Sequence, residues 1–182
     1  MSSAKSQAPP ADAAATLRLA FIDVCENSFF AFVEESSPEH FAALVNQCAA
    51  ACIAEAGAAP RQAEWLRASV GFTGAFAGAV EVALPERLAA SLVGTMLGEE
   101  VDSTMPEHWL FDGVGEFANM VCGAWLTKLC NSQAFELRPP AVTRMIVGWT
   151  PAADSSGDDD RSQRLAVNDF PVRIRFRASA GV

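Results

Sequence analysis

Leu66-Arg-Ala-Ser-Val-Gly-Phe72 and Ala79-Val-Glu-Val-Ala-Leu84, divided by Thr73-Gly-Ala-Phe-Ala-Gly78, decide the fold. Within each run the apolar side chains recur at every second position, which puts them on one face of a strand. The glycine-bearing segment between them turns the chain back, so the pair reads as a hairpin. On both sides of it the period changes. Upstream, Leu17, Phe21, Val24, Cys25, Ser28, Phe29, Phe32 and Val33 keep helical spacing from Thr16 to about Glu35. Ser37-Pro38-Glu39 then supplies an N-cap, a proline for the first turn and an early acid, opening an Ala-rich helix to about Ala56 that Gly57 and Pro60 close. Downstream, Pro85-Glu86 opens a helix over Arg87 to Leu97, which Gly98 ends. After the polar stretch Glu99 to Thr104, Pro106-Glu107 starts a long helix to about Cys130. Pro139-Pro140 returns the chain to a strand over Ala141 to Trp149. Asp154 to Asp160 reads as a solvated loop, and Arg164 to Val167 and Phe170 to Ala178 as closing strands.

A pattern that moves from period 3.6 to period 2 and back predicts an α+β fold, a mainly antiparallel β-sheet packed with long α-helices. The length of 182 residues suits one core. Residues 1–14 read as a flexible tail and 15–182 as a single domain, with no internal repeat. In the last strand Phe170, Val172, Ile174 and Phe176 fall on one side and Arg173, Arg175 and Arg177 on the other, the pattern of an exposed face on an antiparallel strand.

Composition narrows the function. Hydrophobic residues make up 51% and charged residues 19%, and the net charge is −9. So acidic a chain is repelled by phosphate backbones and anionic bilayers, which argues against nucleic acid and membrane surfaces and favours partners that present Lys or Arg. No apolar run approaches a membrane span, and Met1 to Ala15 lacks the basic-then-apolar order of a signal peptide, so the expected location is cytoplasmic. Cys25, Cys48, Cys52, Cys122 and Cys130 sit in helical, apolar surroundings, where reduced Cys behaves as a small hydrophobe. Cys48 and Cys52 share a helix face, but only His40 is near enough to join them as a ligand, so no metal site is expected. His40 and His108 each lie near a helix start and read as surface residues.

The chemistry concentrates in the long helix, Leu110-Phe-Asp-Gly-Val-Gly-Glu-Phe-Ala-Asn-Met-Val-Cys-Gly-Ala-Trp-Leu126. At about 100° per residue, Asp112, Glu116, Asn119 and Gly123 line one narrow stripe, while Phe111, Val114, Phe117, Val121 and Trp125 cover other faces. Gly113, Gly115 and Gly123 each cost about 1 kcal/mol relative to Ala in a helix interior. Close approach of another backbone would explain their presence. On spacing alone, the stripe is equally what an idle solvated helix face presents.

The surroundings decide between these readings. Met96-Leu97-Gly98, then Asp112-x3-Glu116-x2-Asn119-Met120, then Gly123 and Pro139-Pro140, resembles the CheC/CheX/FliY phosphatases of bacterial chemotaxis, over about Val70 to Val147. Val70-Gly-Phe-Thr-Gly matches that family's strand–turn–strand lead-in. The first helix has Glu26-Asn27 adjacent and no Glu-x-x-Asn, and a single motif favours a CheX-like member. The helix Ser37 to Ala56 is longer than the family's link.

What the resemblance implies is hydrolysis of the aspartyl phosphate on a phosphorylated CheY-like receiver. The receiver brings its own Mg²⁺ and Lys, and this chain needs no cofactor of its own and no metal. Asn119 would hold a water in line with phosphorus and Glu116 would pair with the receiver's Lys, with Asp112 and Gly123 as accessory docking positions. The resemblance further implies a homodimer joined partly through sheet edges, for which Arg164–Ala178 offers a strand. The other reading keeps the fold and the stripe but without turnover, as a CheX-like binding or dimerisation module for a two-component or flagellar partner.

Overall fold

The period-two runs form the middle of the sheet. In the computed structural model, which describes residues 8–55, 64–99, 105–145 and 161–179, the chain runs α1 (Ala13–Phe29), β1 (Val33–Glu35), α2 (Pro38–Glu55), β2 (Trp65–Thr73), β3 (Gly78–Pro85), α3 (Glu86–Leu97), α4 (Glu107–Leu129), β4 (Glu136–Leu137), β5 (Ala141–Met145), β6 (Ser162–Val167) and β7 (Phe170–Ala178). Among the described residues seven strands form one sheet in the order β1-β6-β7-β3-β2-β4, with β5 also on β2, and every pairing is antiparallel. The expected α+β class, an antiparallel sheet packed with long helices, is the one observed.

Alternation fixes which face meets the helices. Leu66, Ala68, Val70 and Phe72 of β2, Val80, Val82 and Leu84 of β3, and Val172, Ile174 and Phe176 of β7 are buried in one cluster with residues of α1, α3 and α4. At its centre Phe72, Phe76, Trp125 and Phe176 pack ring against ring, with Trp125 and Phe176 centroids 4.8 Å apart. The Trp125 indole N–H donates to the Ala13 carbonyl at 2.9 Å, tying α4 to the start of α1.

Capping follows the sequence at two places. The Ser37 hydroxyl accepts from the His40 N–H at 3.2 Å, the N-cap bond that opens α2. Hydrogen bonds from its own backbone N–H and from the Ser37 side chain hold the Glu39 carboxyl below its usual range. Gly98 closes α3 in the left-handed region (φ 67).

The first helix is shorter than its spacing predicts. It stops at Phe29, where Phe30 (φ 53) turns left-handed and its N–H caps Cys25. Val33–Glu35, read as the last helical turn, is instead strand β1, paired with Leu165–Val167. The strand expected over Ala141 to Trp149 is β5 as far as Met145. Residues 146–149, the loop 154–160, and Ala56, Gly57 and Pro60 lie outside the described residues.

The arginine side of β7 is open only toward its end, where Arg177 is exposed. Arg173 is only 8% exposed and its Nε donates to the Ser162 hydroxyl, while Arg175 and Arg177 both pair with Glu81 of β3. Helix α2 lies against β6 and β7, and its buried Phe41 and Leu44 stand apart from the main cluster, so α2 covers the sheet's second face. Strand β7 is also interior, between β6 and β3, and has no edge to offer a second copy. The sheet's edges are β1 on one side and β4 with β5 on the other.

Candidate active site

Helix α4 carries its apolar side, with Leu110, Val114, Phe117, Ala118, Val121, Cys122 and Trp125, into the core. That phase leaves the opposite side outward. Asp112 and Glu116 are exposed, and Asn119 and Gly123 are half-buried. The structure therefore brings all four stripe positions to one surface. The Asn119 side-chain N–H donates to the Glu116 carboxylate at 3.4 Å, and the Asn119 carbonyl oxygen is buried with no partner.

The glycines shape the stripe, though through side chains rather than another backbone. A Cβ on Gly113 would sit 2.5 Å from a Val93 methyl of α3, and one on Gly115 would sit 3.0 Å from the Pro140 ring. These two positions lie on opposite flanks of the stripe, so α3 and the Pro139-Pro140 segment rise on either side of it. Gly123 differs, since a Cβ there would meet nothing within 4 Å. Its lack of bulk widens the open end of the stripe.

An ion-pair hub fixes the start of the helix. Arg144 of β5 pairs with Glu86 in the first turn of α3 at 2.7 Å, with Glu107 in the first turn of α4 at 3.0 Å, and with Glu64. Its guanidinium also lies 5.8 Å from the Phe111 ring centroid. Because Arg144 gathers the first turns of α3 and α4, and Val93 meets Gly113 further along, the two helices run side by side in the same direction.

Among the described residues no group of three or more His, Cys, Asp or Glu is placed to hold a metal ion, and no helix is long and apolar enough to cross a membrane. Both histidines are exposed; His40 Nδ1 lies 3.3 Å from the Ser36 hydroxyl and His108 stands beside the Trp109 ring. Cys25 and Cys122 are buried, and burial pushes each thiol up to about 12, so neither supplies a thiolate nucleophile at neutral pH.

One residue escaped the sequence reading. Trp109 stands one turn before Asp112 on the same face and is exposed, although the other large aromatics of the helix turn inward. Its spacing of three from Asp112 was the available signal, but a search for polar groups passes over it.

Residues 66–145 match the family model described as "Chemotaxis phosphatase CheX", a span that holds the hairpin, α3, the whole of α4 and β5. A comparison with curated proteins gives no match. The fold is similar to that of chemotaxis protein CheX from Vibrio vulnificus, at 17% identity and a TM-score of 0.62 over 94% of this chain and 100% of that one. Chemotaxis protein CheX from Desulfovibrio desulfuricans gives 19% identity and a TM-score of 0.57 over 92% and 99%. Thermotoga maritima FliY gives 13% and 0.51 over 93% and 92%. Residues 66–145 thus carry the match to the CheX family model, and the architecture built around them has the fold of the CheX and FliY structures.

Proposed function

We propose that this chain hydrolyses the aspartyl phosphate of a CheY-like response regulator, with Glu116 and Asn119 as its catalytic residues. The support that carries most weight is the state of Asn119. Its side-chain amide lies 3.4 Å from the Glu116 carboxylate on the outward side of α4, so an amide and a carboxylate meet a docked partner together. On docking, the Asn119 amide holds a water in line with phosphorus. Glu116, exposed beside it, pairs with the receiver's Lys.

An acyl phosphate is already activated, so positioning and charge suffice, and the receiver's Mg²⁺ neutralises the phosphoryl oxygens. The proposed step asks this chain for neither a nucleophile nor a metal. Asp112 and Gly123 extend the contact surface, one by charge and one by lack of bulk. A receiver as partner places the encounter in the cytoplasm. The working form is a homodimer, joined through β1 or through the β4–β5 edge.

The test is decay of phosphorylation on a panel of the organism's own receivers with wild type, Asn119→Ala, Glu116→Ala and no added protein. Wild type should speed decay of at least one receiver, Asn119→Ala should not, and Glu116→Ala should lose both rate and affinity. Equal decay with wild type and Asn119→Ala on every receiver overturns the reading and leaves a non-catalytic binding module. Light scattering at high micromolar concentration tests the dimer, and a monomer there removes it.

A further inference from the structure

We infer that Trp109, together with Met96 and Leu97, is the apolar anchor by which this chain selects its receiver, and that the partner carries an apolar patch beside its phosphorylated aspartate. The inference rests on the proposed function above, because it adds a second part to the same docking surface.

Exposure comes first. Trp109 is 43% exposed, Leu97 48% and Met96 37%, and they rank among the few large apolar side chains the described residues leave open to solvent. Single exposed apolar residues need no explanation. These three are not scattered. The parallel course of α3 and α4 sets their placement. Val93 lies against Gly113, and one further turn along each helix brings Met96 and Leu97 level with the turn that holds Glu116. Trp109 lies on the α4 face of Asp112 and Glu116 itself. Apolar side chains therefore stand along the α3 flank of the acidic stripe, while the opposite flank is the Pro140 ring.

Footprint decides the occupant. Trp109 and Glu116 are seven positions apart, which is about 10 Å along the helix at 1.5 Å per residue. A standard protein interface covers about 800 Å² on each partner, equivalent to a disc of roughly 16 Å radius. A protein seated over Glu116 and Asn119 covers Trp109 as well, whereas a small phosphoester would not reach it. Charge points to the same partner. The stripe holds Asp112 and Glu116 within a chain of net charge −9, which steers a cationic group toward Glu116 but distinguishes poorly among receivers that share that group. Trp is the side chain that most often carries such discrimination, since it buries a large rigid surface at low entropic cost.

The experiment uses the full chain and the receiver that wild type dephosphorylates fastest, in Mg²⁺. Turnover is read as KM and kcat, and affinity by calorimetry against the same receiver loaded with beryllium fluoride as phosphoryl mimic. Trp109→Ala and the double variant Met96→Ser/Leu97→Ser should each raise KM and Kd at least tenfold, with kcat changed less than threefold. Trp109→Phe should restore most of the affinity. Thermal unfolding within a few degrees of wild type shows that the fold is intact. Values of Kd and KM within twofold of wild type for both variants overturn the anchor while leaving the phosphatase reading in place. If wild type binds the loaded receiver without speeding decay, the phosphatase reading falls, and the anchor still stands or falls on Kd. If wild type binds no loaded receiver in the panel, both are overturned.

Discussion

Asn119 donates its amide hydrogen to Glu116 at 3.4 Å and keeps its carbonyl oxygen buried without a partner. A helix surface rarely tolerates that arrangement for stability alone, so replacing Asn119 should reveal opposed effects on activity and stability. Asn119→Ala should leave the melting temperature unchanged or higher, because Ala is the better helix former by about 0.5 kcal/mol and the orphaned acceptor is gone. Catalysed decay of the receiver phosphate should fall to background. Calorimetric unfolding beside the decay assay checks both. A loss of many degrees would make Asn119 a structural residue instead.

The glycines of α4 should separate into two kinds. Gly113→Ala places a Cβ 2.5 Å from Val93, so α3 must move and stability should drop by about 1–3 kcal/mol despite the gain in helix propensity. Gly123→Ala meets open space and should stabilise by about 1 kcal/mol. Gly123→Leu should fold as well as wild type yet raise KM for the receiver by obstructing the docking surface. Urea unfolding of the three variants, with KM for the last, checks the ranking.

Arg144 is expected to matter through its geometry as well as its charge. Arg144→Met removes the cation that Glu64, Glu86 and Glu107 share, and the expected loss is about 1–3 kcal/mol, diminishing as salt rises. Arg144→Lys should recover less than half of it, since an ammonium cannot divide itself between two helix starts as a guanidinium fork does. Denaturation at low and high ionic strength measures both.

Cys25 and Cys122 should resist alkylation in the folded chain and dominate its alkaline behaviour. Burial pushes each thiol up to about 12 from a value of 9.0, with Glu26 adding to the effect at Cys25. The unfolded chain releases these protons from about pH 9 and the folded chain does not. Their contribution to stability is therefore complete below pH 9 and is lost as pH rises toward 12. Unfolding midpoints should be flat in this respect between pH 7 and 8.5 and fall steeply above 9.5. Maleimide labelling with peptide mapping should modify Cys48 and Cys130, which are partly exposed, before the two buried thiols.

Local rules were legible where one residue type dictates the backbone. Ser37 had to cap α2, Gly98 had to end α3, and the alternation from Leu66 to Leu84 had to form the hairpin. The end of α1 was illegible because Phe32 and Val33 continue the helical spacing, while the residue that breaks the helix, Phe30, is a type that seldom adopts positive φ. The arginines of β7 misled for a different reason. Alternation tells which side chains share a face but not what covers it, and here Glu81 neutralises two of them and α2 covers the sheet nearby. The stripe itself was legible from helical phase, because Asp112, Glu116 and Asn119 had nowhere else to point once Phe117, Val121 and Trp125 turned inward. Its walls were not, since Val93 and Pro140 lie about twenty residues away on either side in sequence and meet α4 only in the folded chain.

Glu116 and Asn119 ride on one unbroken helix, so the rise of the backbone sets their axial offset at about 4.5 Å. Among the described residues no hinge or loop takes part in assembling them. On the proposed reading the pair stands assembled before any receiver docks. Timing then belongs to whatever loads the receiver with phosphate. The length of the signal would then follow how often a loaded receiver meets a copy of this chain.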